Sequence, residues 1–576
     1  MRKVLCCAGA IASVAVLVGA SAASADQYVV VYQEGASTAA AHQAIRAAGG
    51  TIVTENTDVG VATVQSNDPS FAKKADGEAA LEGAARNQAI GHVPGASTKP
   101  LWRNVESERG NFDGNGPRPR PVSGDPLGGL QWDMQLIGAT PTGSYAHDQG
   151  SHAVRVGIMD TGVDGKHPDI AANFDRFLSR NFTVDNSDPG IDDGPCEHPS
   201  CVDPADEDDD GHGTHVASTI GSPLNGLGMA GVAPKVDLVN IRSGQDSGFF
   251  LVQPTVDALT YAGRVGIDVV NMSFFIDPWL FNCTSNPADS PQQQEQQRMI
   301  IEATTRAVNF AHRHGVTLIA AAGNEWTDLG NPTVDDTSPD FPPEAAYHRT
   351  IDNGCLSMPS EAPHVLDVSS VGPINTASSP YPRKAFYSNY GVEQTVVAAP
   401  GGDSREFFGT PQFNAPENRI LAAYPLNVAQ ACGEVDANGV PNGTTLCDPS
   451  HLGTSVPKSV PLVRNCANGV CALYQWIQGT SMASPHAVGV AALIVAEKGE
   501  RDFRRGGLTL SPDKVEQVLR RTATDTPCPA QEPFVYPSNP GVFDATCVGT
   551  PAFNGFYGDG IVSALAASKS GGGGSR

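Results

Sequence analysis

The chain has 576 residues, 62 Asp plus Glu against 37 Lys plus Arg, and a formal net charge of -25. That excess of negative charge argues against nucleic acid as a main partner and for solubility. Twelve cysteines, in a chain that opens with a targeting pattern, put it in an oxidising context.

Arg2 and Lys3 make a positive start, Val4 to Leu17 is mostly small and apolar, and Ala23-Ser24-Ala25 fits a small-residue cleavage site. Residues 1–25 therefore read as a cleaved signal peptide, and the protein as secreted and extracellular. A membrane anchor is the competing reading, but the apolar run is short, and no later run is long enough to span a bilayer. Cys6 and Cys7 leave with the signal, and the other ten cysteines can form up to five disulfides. Cys196 with Cys201, Cys466 with Cys471 and Cys528 with Cys547 are close enough to be natural pairs, although spacing leaves the connectivity open. Zinc is the rival use of these thiols, and no Cys-x-x-Cys spacing supports it.

Three regions follow. In residues 26–102, Tyr28 to Tyr32 reads as a strand, Ala39 to Ala48 as a helix closed by Gly49-Gly50, and Val59, Val61 and Val64 lie in a second strand. This is a small α/β unit. Residues 103–126 turn polar and rich in Gly, Pro and Arg, as an exposed linker does. Residues 127–567 alternate strands and helices. Val154 to Met159, Val236 to Ile241, Ile267 to Met272, Val316 to Ala321, Val365 to Val371 and Thr395 to Ala399 are short apolar runs, several continuous enough for a sheet buried on both faces. Glu295 to His314 has apolar residues at helical spacing and ends at Gly315. The pattern predicts an α/β fold in three layers, a mostly parallel central sheet between helices. In such folds ligands collect beyond the carboxyl ends of the strands, and Asp160 and Asn324 each stand at such an end.

Four stretches carry the chemistry: Asp160-Thr161-Gly162, His212-Gly213-Thr214-His215, Ala322-Gly323-Asn324 and Gly479-Thr480-Ser481-Met482-Ala483-Ser484-Pro485. An acid that orients an imidazole, an imidazole that takes a hydroxyl proton and an amide that meets an oxyanion are what amide hydrolysis by serine requires. The order Asp, His, Ser separates this set from the His, Asp, Ser and Ser, acid, His orders. Here the chain resembles the subtilases, the subtilisin-like serine peptidases, from about Leu127 to Leu565. The resemblance implies catalytic Asp160, His212 and Ser481 and an oxyanion donor in Asn324. It implies no cofactor for the chemistry, polypeptide substrates, and a propeptide in residues 26–102 that blocks the cleft until it is cut away. A permanent N-terminal domain is the alternative reading of that unit.

Ser481 stands just ahead of Met482 to Glu497, a helix pattern apolar all round and so expected to run through the core, with Gly499 as its stop. His215 follows His212 by three positions with no Glu between, which is not the spacing of a zinc-peptidase helix, so His215 reads as structural. Asn271-Met272-Ser273 resembles the family's substrate-binding strand, so Ser273, Phe274 and Phe275 are expected to contact substrate, and Ala322 and Gly323 leave room for a substrate side chain. Phe274-Phe275 replaces the family's common Leu-Gly, and Phe275 is expected to narrow or reshape the primary specificity pocket.

The acidic stretch Asp185 to Asp210 reads as a solvated loop or, since subtilases often bind it, as a structural calcium site with no assignable ligand set. After the core, Ser511-Pro512 starts a further helix, and residues 568–576 form a flexible Gly-rich tail. The reading as a whole is a secreted monomeric serine endopeptidase made as a self-processed precursor. A narrowly specific processing peptidase or exopeptidase is the nearer alternative, and a catalytically silent scaffold, which would lack a triad or oxyanion group, the farther one.

Overall fold

A computed structural model describes residues 26–86, 105–106, 124–185, 193, 196–340, 345–447, 454–458 and 460–570. The signal reading of 1–25, most of the linker reading of 103–126 and the end of the Gly-rich tail lie outside them.

Four strands, β1 (Asp26–Tyr32), β2 (Thr51–Asn56), β3 (Val61–Ser66) and β4 (Leu81–Arg86), form an antiparallel sheet in the order β2-β3-β1-β4, with helices α1 (Thr38–Ala48) and α2 (Phe71–Ala75). Sequence reading missed β2, α2 and β4. β2 opens with the β-branched run Thr51-Ile52-Val53-Thr54, a strand signal that the sequence does carry, whereas the Gly- and Ala-containing β4 lacks that density and is held in the sheet by pairing with β1.

The large domain is built on seven parallel strands: β5 (Arg155–Met159), β6 (Arg180–Asn181), β7 (Asp237–Arg242), β8 (Val269–Met272), β9 (Thr317–Ala321), β10 (Val365–Val371) and β11 (Thr395–Pro400). Their order is β11-β10-β9-β8-β5-β7-β6. The expected strands are all present within a residue or two, and β6 is an addition. Alternate residues feed two cores: Val156, Ile158, Val269 and Ile319 enter one, while Met159, Val270, Leu318 and Ala320 enter the other. Helices α3 (His212–Gly221) and α6 (Thr480–Lys498) pack in the first core; α4 (Val252–Val265) and α5 (Pro291–Arg313) pack in the second. The buried run of α6 extends from Thr480 to Val495, as its all-round apolar pattern requires.

Helix α5 starts four residues before the predicted Glu295 because Ser290 and Gln293 form a reciprocal capping box ahead of the apolar periodicity. Helix α7 (Pro512–Thr522) has Ser511 as its cap and Pro512 in its first turn, as expected. Beyond the parallel sheet, β12 (Ile420–Tyr424), β13 (Val463–Ala467) and β14 (Val470–Ile477) make a three-stranded antiparallel sheet. The three expected disulfides are present, joined by Cys283–Cys355 and Cys432–Cys447. Among the described residues no helix is long and apolar enough to cross a membrane.

The N-terminal sheet lies against α4 and α5. Tyr28, Val30 and Tyr32 of β1 face α1 and α2, whereas Val29 and Val31 join the core of α4 and α5, so both faces of the Tyr-Val-Val-Val-Tyr run are buried. Polar contacts seal the edge: Asn56 Nδ2 donates to Asp257 at 2.7 Å and to Thr260 at 2.6 Å, and Arg306 donates to the Tyr32 carbonyl at 2.7 Å.

Candidate active site

Strand order reverses between β5 and β8, and the carboxyl ends of these strands hold Asp160 and Ser273. A crevice opens at such a reversal. Asp160 is fully buried; its Oδ1 accepts the Thr161 N–H at 2.8 Å and faces His212 Nδ1 at 2.7 Å. Burial pushes the Asp160 carboxyl up, and the adjacent His212 opposes the rise. His212 opens α3, which approaches the Asp160 turn so closely that a β-carbon on Gly213 would lie 2.1 Å from the Gly162 carbonyl oxygen. Glycine at 213 is thus what lets the imidazole reach the carboxylate.

Asp208, absent from the sequence-level site, fixes the start of α3. It is fully buried and accepts the N–H groups of Gly211 at 2.9 Å and Thr214 at 3.0 Å, the Thr214 hydroxyl at 2.5 Å and the Thr161 hydroxyl at 3.2 Å. An Asp shortly before a helix start is a capping signal that sequence reading can use. His215 turns away from the crevice, with Nε2 3.2 Å from the carbonyls of Ile420 and Gln475. Burial lowers its pKa to about 3, so it is neutral and structural.

Ser481 lies within α6 rather than ahead of it: the helix begins at Thr480, placing the Ser481 N–H among the first-turn donors that lack an intrahelical acceptor. The Ser273 hydroxyl donates to the Ser481 carbonyl at 3.1 Å and accepts from Asn271 Nδ2 at 2.8 Å, while Ser484 donates to Asn271 Oδ1 at 2.8 Å. Ser273 therefore braces the nucleophile turn. Asn324 is held by Thr480, whose N–H and hydroxyl both donate to Asn324 Oδ1 at 2.9 Å. Because a backbone N–H can only donate, the atom it meets is the amide oxygen, which leaves Nδ2 as the free donor end.

The loop after β9 is shaped by Asn389, which donates to the Ala322 carbonyl at 2.9 Å and to Glu325 Oε2 at 2.8 Å and accepts the Thr327 N–H at 2.8 Å. Gly323 adopts φ 101°, a left-handed conformation that suits glycine, and its N–H meets the Thr480 hydroxyl at 3.1 Å. Glu325 is pushed up to about 7 by burial. Phe274 is buried and stacks on Phe250, ring centres 4.0 Å apart. Phe275 packs against a cluster that includes Leu280, Phe281, Leu329 and the joined Cys283 and Cys355. The side chain expected to narrow the primary pocket is thus engaged by the disulfide-tied excursion between β8 and β10.

The solvated-loop reading of Asp185 to Asp210 holds only in part: Glu197 and Asp209 are exposed, whereas Asp185, Asp193, Asp203 and Asp208 are buried. Asp203 pairs at 2.8 Å with Arg242 at the end of β7, itself fully buried and also paired with Asp246, while Asp193 accepts the N–H and hydroxyl of Ser247. Carboxylate oxygens of Asp185, Asp203 and Asp246 lie within 4.8 Å of one another. Asp185 Oδ2 and Asp203 Oδ1 are buried without a hydrogen-bond partner among the described residues. Burial raises Asp246 to about 8 against the pull of Arg242, and burial with the neighbouring Asp203 raises Asp185 to about 6. Hard oxygen donors with spare lone pairs are a set that fits a calcium ion.

A family model described as Peptidase_S8, subtilase family, matches residues 151–560. The chain is 29% identical over 252 residues to the major intracellular serine protease of Bacillus subtilis, covering 43% of this chain and 65% of that protein. It is 24% identical over 376 residues to subtilisin DY of Bacillus licheniformis, covering 65% and 84%. Among solved structures, the epidermin leader peptide processing serine protease of Staphylococcus aureus shares the fold at a TM-score of 0.60 and 19% identity, covering 96% of this chain and 100% of that one. The family match spans the whole parallel sheet together with Asp160, His212, Asn324 and Ser481, and the chain belongs to the subtilase family.

Proposed function

We propose that this protein is a serine endopeptidase that hydrolyses peptide bonds through an acyl-enzyme. The observation that carries the reading is the convergence of the Asp160–His212 contact at 2.7 Å with an Asn324 amide whose oxygen is pinned by Thr480, next to a serine in the first turn of a buried helix. Ser481 Oγ attacks the substrate carbonyl carbon while His212 Nε2 takes the hydroxyl proton. Asp160 holds the tautomer and balances the imidazolium. Negative charge gathers on the carbonyl oxygen, to which Asn324 Nδ2 and the Ser481 N–H donate, helped by the positive end of α6. The imidazolium protonates the leaving amine, and water, deprotonated by the same ring, releases the acyl group.

The enzyme acts on polypeptides as a secreted monomer, with neither nucleic acid nor a membrane anchor as a partner. It is made as a precursor whose N-terminal unit is a propeptide covering α4 and α5. Calcium, where bound, is held by Asp185, Asp203 and Asp246 and serves the loop rather than the chemistry. A narrow specificity is the second reading, favoured by the Phe250–Phe274 stack and by Phe275 packed into the disulfide-tied excursion beside the Ser273 strand.

Ser481→Ala tests the core of the proposal: it should abolish peptide hydrolysis and fluorophosphonate labelling, and keep the N-terminal unit attached, while the far-ultraviolet circular dichroism stays the same. Full activity in the folded variant would refute it. Active wild-type enzyme should begin between about Arg103 and Leu130, where an exposed linker is open to nicking; N-terminal sequencing that still finds Asp26 would make the unit a permanent domain. Digestion of a peptide library, read by mass spectrometry, separates broad internal cutting from narrow specificity.

A further inference from the structure

Two residues of the segment joining the N-terminal unit to the large domain lie in the crevice itself. The Val105 carbonyl accepts from Gln478 Nε2 at 3.0 Å, and the Val105 side chain packs on a cluster that includes Phe386, Tyr387 and Phe543. Glu106 is buried, with Oε1 3.7 Å from His212 Nε2. Neither of these two atoms has a hydrogen-bond partner among the described residues. A β-carbon on Gly479, two residues ahead of Ser481, would lie 2.9 Å from the same Glu106 oxygen. The side chain thus sits between the catalytic ring and the nucleophile turn, at the nitrogen that must take the serine proton.

We propose that Glu106 is a built-in inhibitor of the unprocessed chain: its carboxylate takes the place beside His212 Nε2 that the serine proton and the substrate's leaving nitrogen need, until a cut on its C-terminal side lets it go. This rests on the peptidase reading above and names the contact that keeps that site silent.

Electrostatics act in the same sense as occupancy. The imidazole stands between two carboxylates, Asp160 at Nδ1 and Glu106 at Nε2. Burial works against a charged ring, but these two carboxylates prevail and hold His212 well above the ordinary histidine range. The other titratable groups nearby include Asp210, whose Oδ1 accepts the His212 backbone N–H at 3.1 Å, Asp208, buried at the start of α3, and His215, neutral one turn further along it. An imidazolium cannot accept the serine proton, so the precursor is blocked by charge as well as by position. Removing the Glu106 charge without changing its size should release the ring.

The test compares unprocessed and processed protein, wild type and Glu106→Gln, by the rate at which a fluorophosphonate labels Ser481. Unprocessed Glu106→Gln should label several-fold faster than unprocessed wild type, because more of the ring is then free base and able to take the serine proton, and the processed forms should label alike. Faster self-processing of the variant counts the same way. A second readout needs no turnover: in the intact Ser481→Ala chain, an NMR titration of the His212 ring should move to lower pH with Glu106→Gln and less so with Glu106→Asp. Equal labelling of the unprocessed forms while processed enzyme is active, or an unmoved titration, would overturn the role of Glu106 and leave the peptidase reading standing. If processed wild type neither labels nor cleaves peptides, the peptidase reading fails and this one with it.

Discussion

Thr480→Val isolates the support of the oxyanion donor from the donor itself. Valine keeps the shape of the side chain at the first position of α6 and removes only the hydroxyl, which donates to Asn324 Oδ1 at 2.9 Å and accepts the Gly323 N–H at 3.1 Å. The Thr480 N–H still holds the same oxygen at 2.9 Å, so Asn324 loses one of two anchors. One hydrogen bond is worth about 0.5–1.5 kcal/mol net, which lowers kcat about 2- to 13-fold if it is felt in the transition state. KM should barely change, because the oxyanion exists only along the reaction path. Asn324→Ala should cost far more, on the order of 10²–10³ in kcat, a range taken from a subtilisin and so not independent of this family. Steady-state kinetics on a fluorogenic peptide give both values, and Thr480→Ser should restore the wild-type rate. In the Asn324→Ala background Thr480→Val should have little further effect, since the group it steadies is gone. An unchanged kcat in Thr480→Val, an effect confined to KM, or full additivity in the double variant would refute the reasoning.

Two further predictions concern stability and are best measured in the Ser481→Ala background, which cannot digest itself. Asp367 in β10 is buried with both carboxylate oxygens unpartnered among the described residues, and burial pushes its carboxyl well above the ordinary value of 3.8. Its proton is kept by the native state and lost by the unfolded one, so stability falls as pH rises from that ordinary value, by up to about 1.4 kcal/mol per pH unit. Asp367→Asn should flatten this fall, and urea midpoints that drop equally in both proteins between acid and neutral pH would contradict it. The Cys283–Cys355 bridge closes a separation of 72 residues. Replacing both by Ser should cost at most about 4 kcal/mol and, in the enzyme that keeps Ser481, should alter cleavage preference as well, through the packing of Phe275; an unshifted thermal midpoint with unchanged preference of the active enzyme would show that the bridge supports neither.

The family, the class of fold and the positions of Asp160, His212, Asn324 and Ser481 were all legible in the sequence, because each stands in a short motif at the edge of a strand or helix pattern. Such patterns are local: a parallel strand buried on both faces is an unbroken apolar run, and a helix through the core is apolar all round. What those motifs touch was not legible. Thr480 lies 156 positions from the amide it pins, and Ser273 lies 208 from the carbonyl it meets. Phe275 looked like part of a pocket wall until the excursion behind it supplied a hydrophobic cluster, and the acidic loop looked solvated throughout until Arg242 arrived from β7 to pair with Asp203 inside. Glu106 stands in a stretch whose composition reads only as linker, yet it reaches the ring of His212. Periodicity decides which way a residue faces on its own strand or helix; its partner there is chosen by the packing of distant segments, and burial and charge at the site are set by that choice.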